Sequence, residues 1–515
     1  MLLLLILILF AGWIAVQHYR RVSRLPPGPF SFPIIGNIPV IFYYAWRAGG
    51  VIPMMNMLRK KYGKIFTIWI GPLPHVSITD FETCHEVFVK SGSRYSDKAF
   101  SPIFNEARNG FGLIAMNGPL WQEIRRFSIQ TFRNMGIGKD LMELRIMSEL
   151  DRRCEEFDHI TEVNATEFFD LIVGSIINTI LMGTRFDESN SDKFLHLKKL
   201  IEESTKVLTP IDLMLPTWFL RKFRSQRYNL MMKAHKDVMD YLSEDAVRRV
   251  EDVLNGRSTI DEENPRDYVD YFILKILHEG TDQVAYSIPS LKSVLTDLWI
   301  AGQETATTTL VSGFCQLLNH QHVMETLRSE LMKVTANGSR PLTLNDKNST
   351  PYLNAVIAEI QRHASILNIN FFRLNHEQTE IAGFHVDAGA LITAQLSSLH
   401  SDETVYYNPE EFDPERFLLD KGLAQKLIPF GVGKRACTGE ALARAELYLI
   451  IGNLLLRYKF EPCGQLVSSI DDAPFSFAKK PREYRMKLIK MNFDMTNFAS
   501  AYCSPLTVIQ SVFSQ

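Results

Sequence analysis

The chain opens with an unbroken apolar run, Met1 to Val16 (MLLLLILILFAGWIAV), and Arg20, Arg21 and Arg24 follow within a few residues. As a helix the run spans about 24 Å, short of a ~30 Å hydrocarbon core, and Gln17 to Tyr19 extend it, with Tyr19 at the interface. Basic residues directly behind an apolar helix hold the following chain in the cytoplasm. A cleaved leader is the rival reading. Such a leader carries its basic residues before the run and a small-residue cleavage site after it, and this chain has neither. Leu25 to Gly36 (LPPGPFSFPIIG) is dense in proline and reads as a stiff linker. Residues 65–80 (IFTIWIGPLPHVSITD) alternate around Gly71-Pro72, a hairpin pattern. Helical periodicity sets in near residue 115, and a strand-rich patch lies near 371–395. The whole predicts a mainly α chain with a small β portion.

At 515 residues the length suggests more than one domain, yet no Pro/Gly/Ser-rich linker, composition break or repeat divides the chain after residue 40. The net charge of −2 gives no global pull toward nucleic acid. The six cysteines, Cys84, Cys154, Cys315, Cys437, Cys463 and Cys503, show no pairing rhythm, as expected in a reducing compartment. Asn164, Asn337 and Asn348 each open an N-x-S/T sequon, and all three stay unmodified if the body of the chain faces the cytoplasm.

The chemistry concentrates at Pro429 to Glu446 (PFGVGKRACTGEALARAE). Gly431, Gly433 and Gly439 allow the backbone to crowd a flat object. A helix beginning after Cys437 turns free N–H groups and its positive dipole end toward the sulfur, conditions that hold a thiolate. No second cysteine or histidine stands at zinc spacing, and a lone thiolate suits the proximal ligand of a haem. The bland alternative is a structural cysteine after a turn. Leu291 to Leu318 forms a long apolar helical pattern interrupted by Ala301-Gly302-Gln303-Glu304-Thr305. A carboxylate and a hydroxyl there need partners or water. Gly302 would admit a macrocycle or an oxygen molecule, and Glu304 with Thr305 could relay protons to it. The alternative is a threonine back-bonded to its own helix beside a solvent-facing glutamate. Trp121 and Arg125 share one face of a helix opened by Asn117-Gly118-Pro119.

Phe430, Gly433, Arg435, Cys437 and Gly439 fit the pattern F-x-x-G-x-R-x-C-x-G, and the chain resembles the cytochromes P450 from about residue 25 to 490. The resemblance rests on five motifs in the right order. It implies the mainly α P450 fold, with haem b between the long helix and the cysteine loop. Trp121 and Arg125 then match the W-x-x-x-R pair that reaches a haem propionate, and Arg373 and Arg435 are further propionate-binding arginines. The string 301–305 matches the A/G-G-x-D/E-T element. Glu359, Arg362 and Arg416, the last in Pro414-Glu415-Arg416-Phe417, resemble the Glu-Arg-Arg triad, a structural support. Ser96 to Ala115 resembles the loop covering the substrate pocket.

The implied domains are a transmembrane signal-anchor (1–19), a basic and proline-rich hinge (20–36), a haem-thiolate monooxygenase domain (37–490) and a tail (491–515) of no recognised role. The resemblance is to the microsomal drug- and fatty-acid-oxidising group of animals. It implies insertion of one atom of O2 into a lipophilic small molecule, a xenobiotic or fatty acid, at the endoplasmic reticulum membrane. Electrons would come from NADPH through NADPH-cytochrome P450 reductase, with cytochrome b5 a further candidate donor. Arg126, Arg133 and Lys139 form a candidate docking patch for an acidic electron donor, the bland reading being a solvated face. The apolar stretch 207–220 is either core or a second membrane contact, and Arg125-Arg126-Phe127-Ser128 has the form of a basophilic kinase site. The sequence departs from its microsomal relatives at Asn368, where they usually carry proline, at Thr438, and at Val386-Asp387-Ala388-Gly389. Three rival readings are a haem-thiolate isomerase that needs no reductase, a non-enzymatic haem sensor or carrier, and a membrane-anchored structural protein with accidental motifs.

Overall fold

The computed structural model describes residues 1–491 except 100, 137–139, 187–190, 210–211, 213–214, 281–283, 465–478 and 480–481. The tail from 492 onward, Lys139 and part of the 207–220 stretch therefore lie outside the described residues. Helix α1 (Leu2–Val22) leads to the hairpin β1 (Ile65–Ile70) and β2 (Leu73–Ile78). Then come α2 (Gly118–Asn134), β3 (Glu162–Asn164), α3 (Ala165–Met182), α4 (Ser191–Val207), α5 (Ser225–Leu254), α6 (Tyr268–Glu279) and the long α7 (Ile288–Asn319). Helix α8 (Pro351–Ala364) precedes β4 (Arg373–Leu374), β5 (Thr379–Ile381), β6 (Phe384–Val386) and β7 (Leu391–Ala394). The short α9 (Leu396–His400) follows, and α10 (Glu440–Arg457), β8 (Tyr458–Pro462) and β9 (Arg485–Lys490) complete the described chain. Further helices, among them Ile38–Ala48, Val51–Tyr62, Asp140–Phe157 and Gln321–Val334, and shorter helical turns join these elements.

The chain divides into two compact units interleaved in sequence. The first comprises Met1–Phe100, Gln361–Cys437 and Ile470–Lys480, the second Ser101–Ile360, Thr438–Ser469 and Pro481–Gln515.

The first unit is built on a four-stranded sheet of order β1-β2-β7-β4. Gly71, at φ 59°, makes the hairpin turn that the Gly-Pro pair predicts. Strand β7 then pairs parallel to β2 and antiparallel to β4. Trp69, Val76, Ile78, Phe88, Ile392 and Ile428 pack into its core. Helix α1 has 21 residues, about 31 Å at the usual rise, so it continues past residue 19. Arginine is a good helix former and favoured near a helix C-terminus, which carries the helix through Arg20 and Arg21. Its last turns dock on the sheet: His18 hydrogen-bonds Ser31 at 2.8 Å, and Arg21 lies over the Trp69 ring and 3.4 Å from Asp387.

The second unit is largely helical, with a sheet of order β3-β9-β8. Its centre is α7 against α3, and both are buried along most of their length. Helix α3 is apolar and long enough to cross a membrane, yet most of it is covered within the protein. Asn164 caps it by accepting from the amides of Thr166 and Glu167, and Gly183 closes it in the left-handed region at φ 69°. Ser287 caps α7 through the amide of Ser290. Where a charge is buried it is matched: Arg249 pairs with Asp267 at 2.8 Å and with Asp270, both almost wholly covered.

Glu446, on the covered face of α10, is an exception, since its Oε1 has no hydrogen-bond partner. Burial pushes its carboxyl up to about 8, so the fold holds it protonated at neutral pH. Stability from this group is complete below its ordinary value of 4.5 and is lost as pH rises toward 8. Glu446→Gln should therefore melt with the native protein at pH 5 and above it at pH 8. Melting curves of both proteins across that range check this, and a pH-independent difference would be the contrary result.

Candidate functional site

The residues of the first unit that the motifs single out gather around one turn. The amide of Cys437 donates to the carbonyl of Phe430 at 2.9 Å, Ala436 to Gly433 at 2.9 Å, and Gly431 to Ile428 at 3.0 Å. Gly433 sits at φ 79°, and a Cβ there would lie 1.8 Å from the carbonyl oxygen of Phe88. Its glycine is thus required by the protein backbone. Cys437 is exposed, whereas Cys84, Cys154 and Cys315 are buried. Burial pushes the thiol of Cys84 well above its ordinary value and that of Cys315 up to about 11, so those two are inert.

Two buried arginines meet the segment just before residue 100, Arg435 through its guanidinium and Arg373 through its backbone. Arg435 donates through Nε to the carbonyl of Ser96 at 2.6 Å. Lys98 pairs as a β-bridge with Arg373, flanked by Ala99 N–H to Phe372 O at 3.0 Å and Leu374 N–H to Asp97 O at 2.9 Å. Arg373 is 2% exposed and Arg435 8%. Arg362 donates to the carbonyls of His400 (3.0 Å) and Glu411 (3.2 Å), and Arg416 also reaches Glu411 O, together with the carbonyls of Asp413 and Tyr407. Those two arginines stitch loop backbone to helix α8. Among the described residues no cluster of three or more His, Cys, Asp or Glu could hold a metal ion. One exposed thiol in the same unit as the buried Arg373 and Arg435 fits an iron porphyrin, which takes a soft ligand and cations for its carboxylates.

In the second unit Trp121 is buried on α2, and the Arg125 guanidinium lies 5.6 Å from its ring centre. Arg126 and Arg133 are exposed on the same helix. Ser128 is fully buried, 2.8 Å from the Tyr268 hydroxyl, so the kinase-like string is closed to an enzyme in the folded protein. Glu359 is fully buried on α8.

On α7, Thr305 donates to the carbonyl of Ala301 at 2.6 Å, the back-bonded arrangement. Glu304 does not simply face solvent. It pairs with Lys198 of α4 at 2.5 Å, and Lys198 also reaches Asp170 of α3 at 3.2 Å. Gln303 closes the group, donating to Asp170 at 2.6 Å. A Cβ at Gly302 would meet the Ile177 side chain of α3 at 2.7 Å, so α3 packs close against this glycine. Two turns earlier, Asp297 is 1% exposed and takes Arg108 on one oxygen and the amide of Ile114 at 2.7 Å on the other. Arg108 also donates to His235 at 3.0 Å, whose ring burial and the Arg108 charge push down to about 3, leaving it a neutral acceptor. The stretch 108–114 is thereby tied to α7. Sequence reasoning missed Asp170, Lys198, Asp297 and Arg108. The only signal was a carboxylate in an apolar run, at Phe168-Phe169-Asp170-Leu171 and again at Thr296-Asp297-Leu298.

A family model described as Cytochrome P450 matches residues 26–488. The chain is 45% identical over 490 residues to a protein named probable cytochrome P450 cyp-35D1 from Caenorhabditis elegans, covering 93% of this chain and 98% of that one. It is 31% identical over 477 residues to cytochrome P450 2M1 of Oncorhynchus mykiss, covering 90% and 91% respectively. With cytochrome P450 2C70 of Rattus norvegicus it shares 31% identity over 452 residues, 87% of this chain and 90% of the relative.

Burial lowers the proton affinity of Lys198, but Glu304 and Asp170 outweigh it and leave the amine above its ordinary 10.5. The group's contribution to stability is complete below pH 10.5 and is lost as pH rises through the raised value. Lys198→Met should cost about 1 kcal/mol at pH 8, a figure kept small because Glu304 is partly exposed. The difference in melting temperature from the native protein should narrow above pH 10.5.

Proposed function

The chain belongs to the cytochrome P450 family and is a haem monooxygenase, and from that premise we propose that it oxidises a lipophilic small molecule at the endoplasmic reticulum membrane with electrons passed from NADPH by a membrane reductase. The observation that carries this reading is the exposed Cys437 on its glycine turn, with Arg435 and Arg373 gathered on the 96–98 segment. Haem, when bound, supplies the redox and oxygen chemistry. Cys437 as thiolate would hold the haem iron, Phe430, Gly433 and Gly439 would shape its turn, and Arg373, Arg435, Trp121 and Arg125 would supply cations and donors for the haem carboxylates.

Thr305 spends its O–H on the carbonyl of Ala301, so the lone pairs of Oγ1 remain to accept a hydrogen bond at the reacting centre. Glu304 carries the proton supply. Its ion pair with Lys198 holds the carboxylate until the lysine lets go. Glu359, Arg362 and Arg416 are structural supports, which the carbonyl bonds of the two arginines favour.

Residues 1–19 lie in the bilayer, 20–36 lead out of it, and 37–490 form the catalytic domain on the cytoplasmic side. The 21-residue apolar helix ending in arginines supports this orientation. The exposed Trp218 and Phe223 support a second contact with lipid, a route for apolar substrate. Arg126 and Arg133 suit an acidic surface on NADPH-cytochrome P450 reductase or cytochrome b5. On this topology the exposed Asn337 and Asn348 stay unglycosylated.

The test is the carbon-monoxide difference spectrum of the reduced, membrane-extracted protein. The native chain should give the strongly red-shifted Soret band of an axial thiolate, and Cys437→Ser should lose that band together with activity. In a preparation reconstituted with reductase, Thr305→Ala should keep consuming NADPH while product falls roughly a hundredfold. Product formed without NADPH would replace this reading with the isomerase alternative.

A further inference from the structure

His400, the last residue of α9, is 1% exposed and lies outside the motifs that the family match brings forward. The amide of Ile428 points at its Nε2 from 3.2 Å. An amide N–H can only donate, so Nε2 is the unprotonated nitrogen and the proton sits on Nδ1. Nδ1 lies 3.0 Å from the Ser365 hydroxyl, which it meets as donor. Ser397 Oγ donates toward Ser365 Oγ at 3.3 Å and toward Asn368 Oδ1 at the shorter 2.9 Å, so Ser365 is an acceptor on both sides. The result is a short relay in which Ile428 N–H donates to His400 and His400 donates to Ser365, each bond polarising the next. Ser397 stands between Ser365 and the side chain of Asn368, one of the positions where this sequence departs from its microsomal relatives. At its other end, Ile428 also accepts the Gly431 amide at 3.0 Å and so opens the turn that ends at Cys437. The His400 carbonyl is itself held by Arg362 at 3.0 Å.

We propose that His400 is a positioning residue for the cysteine turn. A neutral imidazole, with Ser365 as the acceptor for its Nδ1–H, pins the Ile428 amide through Nε2 and so sets where the Cys437 loop begins. The inference rests on the reading of Cys437 as haem ligand. Burial and the charge of Arg362 push the His400 ring down to about 3, consistent with a neutral acceptor through the physiological range.

The test uses the full-length holoprotein in lipid vesicles, with two readouts. One is hydrogen exchange of the peptide containing Ile428 and Gly431, the other the half-life of the red-shifted carbon-monoxide band. His400→Phe keeps a ring but offers no acceptor. It should speed exchange and shorten the half-life about tenfold, the fold-change expected for one buried hydrogen bond. His400→Gln, whose carbonyl oxygen can take the Ile428 N–H, should restore both to within about threefold of native. Should His400→Phe fail to take up haem, Ser365→Ala decides. It leaves the imidazole in place but frees its tautomer, and it should speed exchange at Ile428 without altering exchange in α10. Native exchange in both His400→Phe and Ser365→Ala overturns the proposal, as does equal loss in His400→Gln and His400→Phe. If Cys437→Ser instead retains the red-shifted band, the haem-ligand reading has failed, and the exchange result still shows whether His400 holds the turn.

Discussion

At Gly433 the turn that presents Cys437 lies so close to the backbone of Phe88 that no side chain fits between them. That contact forces a positive φ, and the positive φ folds the segment back so that the Cys437 amide reaches the Phe430 carbonyl. The neighbouring Arg435 is then directed at Ser96, on the segment whose next residues pair with the strand bearing Arg373. Backbone packing at Gly433, the Ile428 amide bonded to His400, and the carbonyl bonds from Arg362 and Arg416 all fix the chain around this exposed thiol. The turn is held mostly by main-chain atoms, which leaves its side chains available for chemistry.

The second unit meets a different constraint, the cost of burying charge. Helices α3, α4 and α7 pack closely enough that Gly302 and Gly174 have no room for a methyl group against Ile177 and Phe194. Charges on such helices persist only when matched. Asp170, Lys198, Gln303 and Glu304 satisfy one another across three helices, and Asp297 is satisfied by Arg108 and the Ile114 amide. Both clusters sit on α7 within two turns of Thr305. The polar breaks in its apolar pattern are therefore attachment points, one for the neighbouring helices and one for the stretch 108–114.

Much of the candidate site was legible in one dimension because its determinants are local. A glycine turn running into a helix former, a Trp and an Arg four apart, and a hairpin around Gly-Pro each depend on a few adjacent residues. The β1–β2 hairpin and helices α2 and α7 appear where those patterns point. The partners of the polar residues were not legible. Lys198 is one lysine among several in a charged helix, and nothing in its spacing says that it meets Glu304, more than a hundred residues away. The same holds for two glycines. Their lack of a side chain was plain in the sequence, but the protein neighbours packed against them, Ile177 for Gly302 and Phe88 for Gly433, were not.

The sequence by itself determined the residue types the chemistry needs and the short-range backbone geometry that presents them. It also determined the apolar N-terminal helix as a candidate anchor, because apolar length and charged flanks are read without reference to any other part of the chain. Tertiary structure alone decided which proton each polar group holds and against what it is held. The tautomer of His400, the pairing of Glu304 and the closure of Ser128 follow from distances between residues far apart in sequence. Hydrogen bonds and ion pairs act over a few ångströms, so only the folded chain, which brings such residues into register, could settle them.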